Sequence, residues 1–503
     1  MSSQLATRAG APAAPVAAAV AAAPTLSSLD RHVVNRFSYG YSRDLARQVA
    51  AAGGGRAWFL KQLSPGSIPD PAVAAMVSQR WFPVLHKSPS AQWKDHLSGR
   101  RKTWEAGWDL SRLSLARKVV SNRQVHEVMA EFWLNHLYVP SGEDRSSVHR
   151  YAYEDLVRRH ALGRFSDLLA AAVVHPAMTG FLANDENHRG ALNENLAREL
   201  LELHTVGVGA RYGEAGVQAS ARLLTGYTLD DFRTWRAGYD PRRHHVGAVR
   251  VLGRTFPNAG ADGRATTQAY LRFLAMHDRT AARIARKLCV HFVSDQPSAR
   301  IVAAVKAAYL RSGSDVRTTL RALVAHPDFA ASRGAKTRTP IEDVVATARA
   351  VGAVPTRPTA AEDSTFVSHL GWMAEDIGYR PYTWPRPDGP PDTAAAWTSA
   401  SRMLRTWELR FALPAGWWQS KNVRYAPRAS FLPTAWPRRV DEVVSHVGLQ
   451  MVGVRPSPAA VQAACRLLDK APSDRIARAA DVSEWDMVRI RGVLLNAPEN
   501  LMR

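Results

Sequence analysis

Cysteine is scarce in this chain: two residues, Cys289 and Cys465, in 503. One pair cannot build a disulfide scaffold, and no Cys-x-x-Cys spacing signals a zinc or redox site. No window approaches the roughly 18 to 20 apolar residues that cross a bilayer. No helix-turn-helix, zinc-finger or RNA-binding signature is present, so specific nucleic-acid binding is not expected. Gly53-Gly54-Gly55 precedes a helical pattern but lacks the Lys-Ser/Thr of a phosphate-binding loop, so it reads as a C-cap and hinge. Acidic residues are also short, 44 against 66 Lys and Arg, for a net charge of +22. Such a surplus favours anionic partners, although a GC-rich coding bias toward Arg produces the same excess without one.

What is present is ordinary globular material, 46% apolar, too much for a disordered chain. Apolar residues recur at three- and four-residue intervals in 113–137, 165–174, 195–206, 215–224 and 280–292, and helical patterns resume at 301–309, 316–325, 399–411, 459–468 and 483–495. The fold class expected is therefore mainly α, a multi-helix array with long irregular connections. Residues 1–28, with an Ala-rich run, read as a disordered leader or a weak export signal. Residues 29–345 form the main helical domain, 346–400 a Pro-rich irregular segment, and 401–503 a C-terminal helical region packing on the main domain. Between Tyr227 and Thr255 the helix signals lapse, consistent with a loop or short hairpin. Seven of the fifteen tryptophans fall between Trp372 and Trp436, flat platforms for sugar rings or simply large core residues.

Three runs carry candidate chemistry. Wound at about 100° per residue, Asn193–Gly207 places Asn195, Arg198, Glu199 and Glu202 on one stripe, with Leu196, Leu200 and Leu203 opposite and His204 at the edge. Glu199 and Glu202, at i and i+3, suit a divalent metal or a split acid/base pair; Arg198 and Glu202 suit an ordinary surface ion pair equally well. The run Glu131–Pro140 ends an amphipathic helix, with Asn135 and His136 in its last turn, reaching into a site or capping the helix. The third run puts His277, Thr280, Arg283, Lys287 and His291 on one face, a cationic stripe for phosphate or carboxylate or else a basic surface. The adjacent His244 and His245 are weaker candidates for metal ligands, and Cys289, inside the third helix, reads as a buried structural thiol.

These runs resemble a bacterial family called domain of unknown function 1800. The resemblance rests on His32–Gly40, Phe132-Trp133-x-Asn135-His136, Asn193–Gly207, Ala221-Arg222-x-x-Thr225-Gly226-Tyr227, His277-x-x-Thr280-Ala281 with Arg286-Lys287-Leu288, and Lys336-x-Arg338-x-Pro340-Ile341-Glu342. It implies a helical fold and no settled activity. It also strengthens a functional reading of Asn195, Arg198, Glu199 and Glu202. The chain departs from the family pattern at Leu134, where His is usual, and at His277-Asp278, where His-Pro is usual.

The leading expectation is an enzyme-like, hydrolase-type site where three helices meet. Glu199, Glu202 and His136 would be its catalytic groups, and Arg198, Asn195, Asn135, Lys287 and His277 its substrate-binding groups, acting on a polysaccharide or other anionic polymer. The cofactor such carboxylates suit is a divalent metal. A non-catalytic binder of an acidic polymer and a helical scaffold with buried ion pairs are the competing readings. Compartment, cytoplasmic or exported, and oligomeric state are left open by the residues.

Overall fold

The computed structural model describes residues 23–360, 362–416 and 419–503. It is mainly α-helical, with only two-stranded sheets beside the helices. The helices that frame the site are α1 (Ser28–Phe37), α2 (Thr103–Val120), α3 (Gln124–His136), α4 (Asn195–Glu199), α5 (Asp278–Phe292), α6 (Pro340–Ala350), α7 (Phe366–Asp376), α8 (Ala400–Ala415), α9 (Val440–Val452) and α10 (Glu484–Asn496). None of the described helices is long and apolar enough to cross a membrane.

One continuous cluster of buried apolar side chains runs from Ala23 to Ala497. At its centre Phe37 of α1 stacks on Phe292 of α5, ring centroids 4.4 Å apart, and Trp133 of α3 stacks on Phe165 at 5.0 Å. Helix α2 packs against α3, α6 and α7, while α8 bridges α6 to α10. Burial of this kind, not helix propensity, supplies most of the stability of such short helices.

Local signals in the sequence explain several boundaries. Ser42 caps the helix Arg43–Ala52, and Gly53 ends it in the left-handed conformation at φ 86°. Thr339-Pro340-x-Glu342 forms a capping box at the start of α6, Thr339 and Glu342 each satisfying the other's backbone N–H. The stretch 227–255 holds two short antiparallel hairpins, β1 (Tyr227–Leu229) with β2 (Ala237–Tyr239) and β3 (Val249–Val251) with β4 (Arg254–Phe256).

Three expectations change, and the tryptophan reading divides. The run 113–137 is two helices, because Ser121–Arg123 leaves helical geometry and Asp70 takes the freed Ser121 hydroxyl at 2.6 Å. The Pro-rich segment is not irregular throughout, since α6 extends into it and α7 lies inside it; the apolar positions Phe366, Val367, Leu370 and Ala374 are buried and hold that helix. Of the leader, residues 1–22 lie outside the described residues. Residues 23–27 are packed down: Ala23 and Leu26 are buried, and the Ala23 N–H donates to Gln450 on α9 at 2.9 Å. Among the tryptophans of 372–436, Trp397 is core, Trp407 is exposed, and Trp417 and Trp418 lie outside the described residues.

Candidate functional site

Leu137 leaves helical geometry and Pro140 follows, so α3 stops at His136 and leaves carbonyls at and beyond the helix end that need donors. They find them in side chains of other elements. The Tyr153 hydroxyl donates to the Leu137 carbonyl at 2.7 Å, and Arg150 Nε donates to that of Val139 at 2.8 Å. The His136 carbonyl accepts from His204 Nδ1 at 2.9 Å.

His204 reaches that position because its helix changes type. A uniform α-helix was expected from Asn195 to Gly207; instead α4 ends at Glu199 and Leu200–His204 winds as a π-helix. The wide turn is closed by the Thr205 hydroxyl on the Leu200 carbonyl at 2.6 Å and the Gly207 N–H on that of Leu201 at 2.8 Å. Such π segments recur at functional sites. Here the segment turns His204 into the protein, fully buried.

The two histidines then hold each other. His136 Nε2 lies 3.0 Å from the His204 carbonyl. A carbonyl only accepts, so Nε2 carries the proton and Nδ1 is left with a lone pair. Lys287 Nζ on α5 donates to that lone pair at 3.1 Å. Burial, together with the Lys287 charge beside it, holds His136 well below the ordinary histidine value, so it is neutral. Burial, reinforced by Arg283 and opposed by Asp392 and Asp388, brings the Lys287 amine down to about 8. Among the described residues Lys287 forms no ion pair; its hydrogen-bond partner is a neutral imidazole.

Lys287 and His136 line a cavity of about 60 Å³ between the end of α3, the middle of α5, the start of α6 and the loop 388–392. Room of that size holds a few waters or one functional group. Glu131, Asn135, His291, Tyr379, Asp388 and Asp392 complete much of its wall. On the far side the charges are matched. His291 Nδ1 donates to Asp392 at 2.5 Å, Lys336 pairs with Asp295 at 2.5 Å and with Asp392 at 3.5 Å, and Arg503 pairs with Glu342 and, at 3.6 Å, with Asp392. Burial pushes the Asp392 carboxyl up, but His291, Lys336 and Arg503 outweigh it and hold the group well below the ordinary carboxylate value. The loop lies close on α3: at Gly389, φ 72°, an added Cβ would overlap the Asn135 carbonyl oxygen.

Of the residues singled out from sequence, the fold brings four to this cavity, Asn135, His136, Lys287 and His291. The others lie elsewhere. Arg198 pairs with Glu194 at 3.1 Å and Glu214 at 2.7 Å. Glu202 interacts with the Tyr212 hydroxyl. Asn195 is exposed, and His277 caps α5 by accepting from the Arg279 N–H at 3.2 Å. Glu199 is part-buried outside the cavity wall; burial, then Glu202 and Asp388, raise its carboxyl above the ordinary value. Among the described residues no group of three His, Cys, Asp or Glu side chains is arranged to hold a metal ion, so the Glu199–Glu202 pair lacks a third such ligand. His244 is satisfied inside the fold, between the Thr225 carbonyl at 3.0 Å and the Asn258 side chain at 2.9 Å. Both cysteines are buried and free, the Cys289 thiol pushed up to about 12 by burial. Leu134 is buried in the core.

Sequence reasoning did not single out Glu131, Tyr379, Asp388 or Asp392. The two aspartates flank Gly389-Pro390-Pro391, and a Pro-rich loop carrying two acids was the available signal. His291 had been placed on the stripe with Lys287, one turn away, but without its partner.

The match to known families decides the identity. Residues 32–502 fit the family described as "Protein of unknown function (DUF1800)". The chain belongs to that family. Neither the curated proteins nor the solved structures compared with it contain a match. The family match spans the α3, π-helix and α5 segments that meet at His136.

Proposed function

We propose that this family member is an acid–base enzyme whose working group is the Lys287 amine. The observation that carries the reading is the 3.1 Å hydrogen bond from Lys287 to a neutral imidazole in place of a carboxylate. A carboxylate would hold the amine charged; a neutral acceptor and burial leave it titrating near 8, where a group can both take and return a proton at ordinary pH. His136 is a positioning residue in this reading. Both its nitrogens are engaged, which fixes the amine in the cavity. Asn135 supplies an amide to orient what enters. A cavity of about 60 Å³ suits one anionic or carbonyl group, the end or side group of a larger molecule. A polysaccharide or other anionic polymer would present such a group.

The scaffold reading draws its support from the Asp392 cluster, where every charge has an opposite neighbour. The two readings separate in one experiment: acylation with an amine-directed reagent near pH 8, mapped by peptide mass spectrometry, with acetate and phosphate as protecting anions. The enzyme reading expects Lys287 to react ahead of the exposed lysines and to be protected by at least one anion. Lys287 left unmodified while exposed lysines react, or modified with their pH profile, contradicts it.

A further inference from the structure

We infer a second ligand site, for a neutral saccharide, in the cleft between α2 and the segment 380–385. This cleft, of about 320 Å³, is walled by Trp104, Trp108, Trp384 and Tyr382, with Glu143 and Arg380 among its polar groups. Its volume lies at the lower end of the range for small-molecule pockets. Trp104 is 56% exposed, an unusual position for the largest side chain, and its neighbour Trp108 is part-buried in the same wall.

The aromatic faces narrow the ligand class. Indole rings present a negative π-face that attracts either a cation or the weakly positive C–H face of a sugar ring. The Arg380 guanidinium already lies over Trp108, 3.1 Å from the ring centroid. That guanidinium, paired with Glu375 at 3.2 Å, occupies the Trp108 face that a second cation would use. An anion would meet the Glu143 carboxylate, which is exposed and, among the described residues, has no hydrogen-bond or ion-pair partner. A neutral ring bearing hydroxyls meets neither objection. Its hydroxyls donate to Glu143, and its C–H face stacks on indole.

The wall is also held in place. The Tyr382 carbonyl accepts from the Ser141 N–H at 3.0 Å, the Tyr382 hydroxyl donates to Ser114 at 3.0 Å, and Ser111 donates to the Pro381 carbonyl at 2.7 Å. Tyr382 and the backbone at Pro381–Tyr382 are thus fixed before a ligand arrives, which lowers the ordering cost of binding on that side of the cleft. This site stands on its own observations and does not depend on the role of Lys287.

The test is calorimetric titration of the full chain with cellohexaose, maltohexaose, chitohexaose and, as a cationic probe, tetramethylammonium. The expected result is binding of at least one oligosaccharide, weakened at least about tenfold in W104A and unchanged in W407A, whose exposed tryptophan lies on α8. Removing an exposed side chain leaves the fold intact, so the loss reads on the cleft. No oligosaccharide bound more tightly than about 10 mM, equal affinity in W104A and wild type, or Trp104-dependent binding of tetramethylammonium instead would overturn the proposal.

Discussion

On α5, His291 and Lys287 are one turn apart and line the same cavity, yet their surroundings differ in kind. His291 donates to Asp392, and around that carboxylate Lys336, Asp295, Arg503 and Glu342 close into a set of matched charges. Lys287 instead donates to the neutral ring of His136, whose own proton is committed to the His204 carbonyl. The first region resolves buried charge by pairing it, which makes it costly to disturb and chemically quiet. The second leaves an amine incompletely compensated, a condition that costs stability and that active sites retain for reactivity.

The largest effect is expected where pairing is complete. Asp392→Asn removes the carboxylate that His291, Lys336 and Arg503 share, and should lower stability by about 3 to 5 kcal/mol in denaturant unfolding. The sign with pH follows from its depressed native value: the wild-type contribution is present above the ordinary aspartate pKa of about 3.9 and fades as pH falls below it. That acid-side fall should be shallower in the variant.

Gly389→Ala breaks the comparison from the loop side. It forces a Cβ against the Asn135 carbonyl at a left-handed backbone position and should cost about 2 to 3 kcal/mol. Because the same loop carries Asp388 and Asp392, the variant should also move the Lys287 titration, read by the acylation profile.

Lys287→Met should act in the opposite direction, raising stability at neutral pH by about 1 to 2 kcal/mol. Here the native pKa lies below the unfolded one, so the burden is full below about 8 and is relieved as pH rises toward about 10.4. Wild-type stability should therefore gain a rising component over that window which the variant lacks. A loss of stability in Lys287→Met would instead favour the scaffold reading. The smallest effect is expected for Glu199→Gln with Glu202→Gln: part-buried carboxylates off the cavity wall should change stability by less than about 0.5 kcal/mol and leave Lys287 titrating as before.

Much of the helical architecture was legible because amphipathic periodicity and capping residues are local. Gly53, read as a C-cap, ends its helix in the left-handed conformation. The site was legible in part. His136 and Lys287 could be singled out as polar groups on otherwise apolar helices, but their contact spans 151 residues of chain and no periodicity carries it. Glu199 and Glu202 drew attention for the opposite reason: a carboxylate pair is conspicuous on a helical wheel whether or not a third group faces it. The wheel also assumed one helix type through Gly207. The π turn at Leu200–His204, closed by Thr205 and Gly207, changes which side chains face inward, and it brings His204 to His136. Asp388 and Asp392 were hidden in a Pro-rich loop, where position depends on packing against α3 and not on any repeat.

The central claim is that Lys287 is an amine made available by a neutral imidazole. Its most direct test is a two-dimensional ¹H–¹³C NMR titration of the lysine side-chain methylenes, with Lys287→Arg to assign the signal. The account predicts a midpoint near 8 for Lys287, well below the other lysines. A midpoint at the ordinary lysine value of about 10.4 would contradict it.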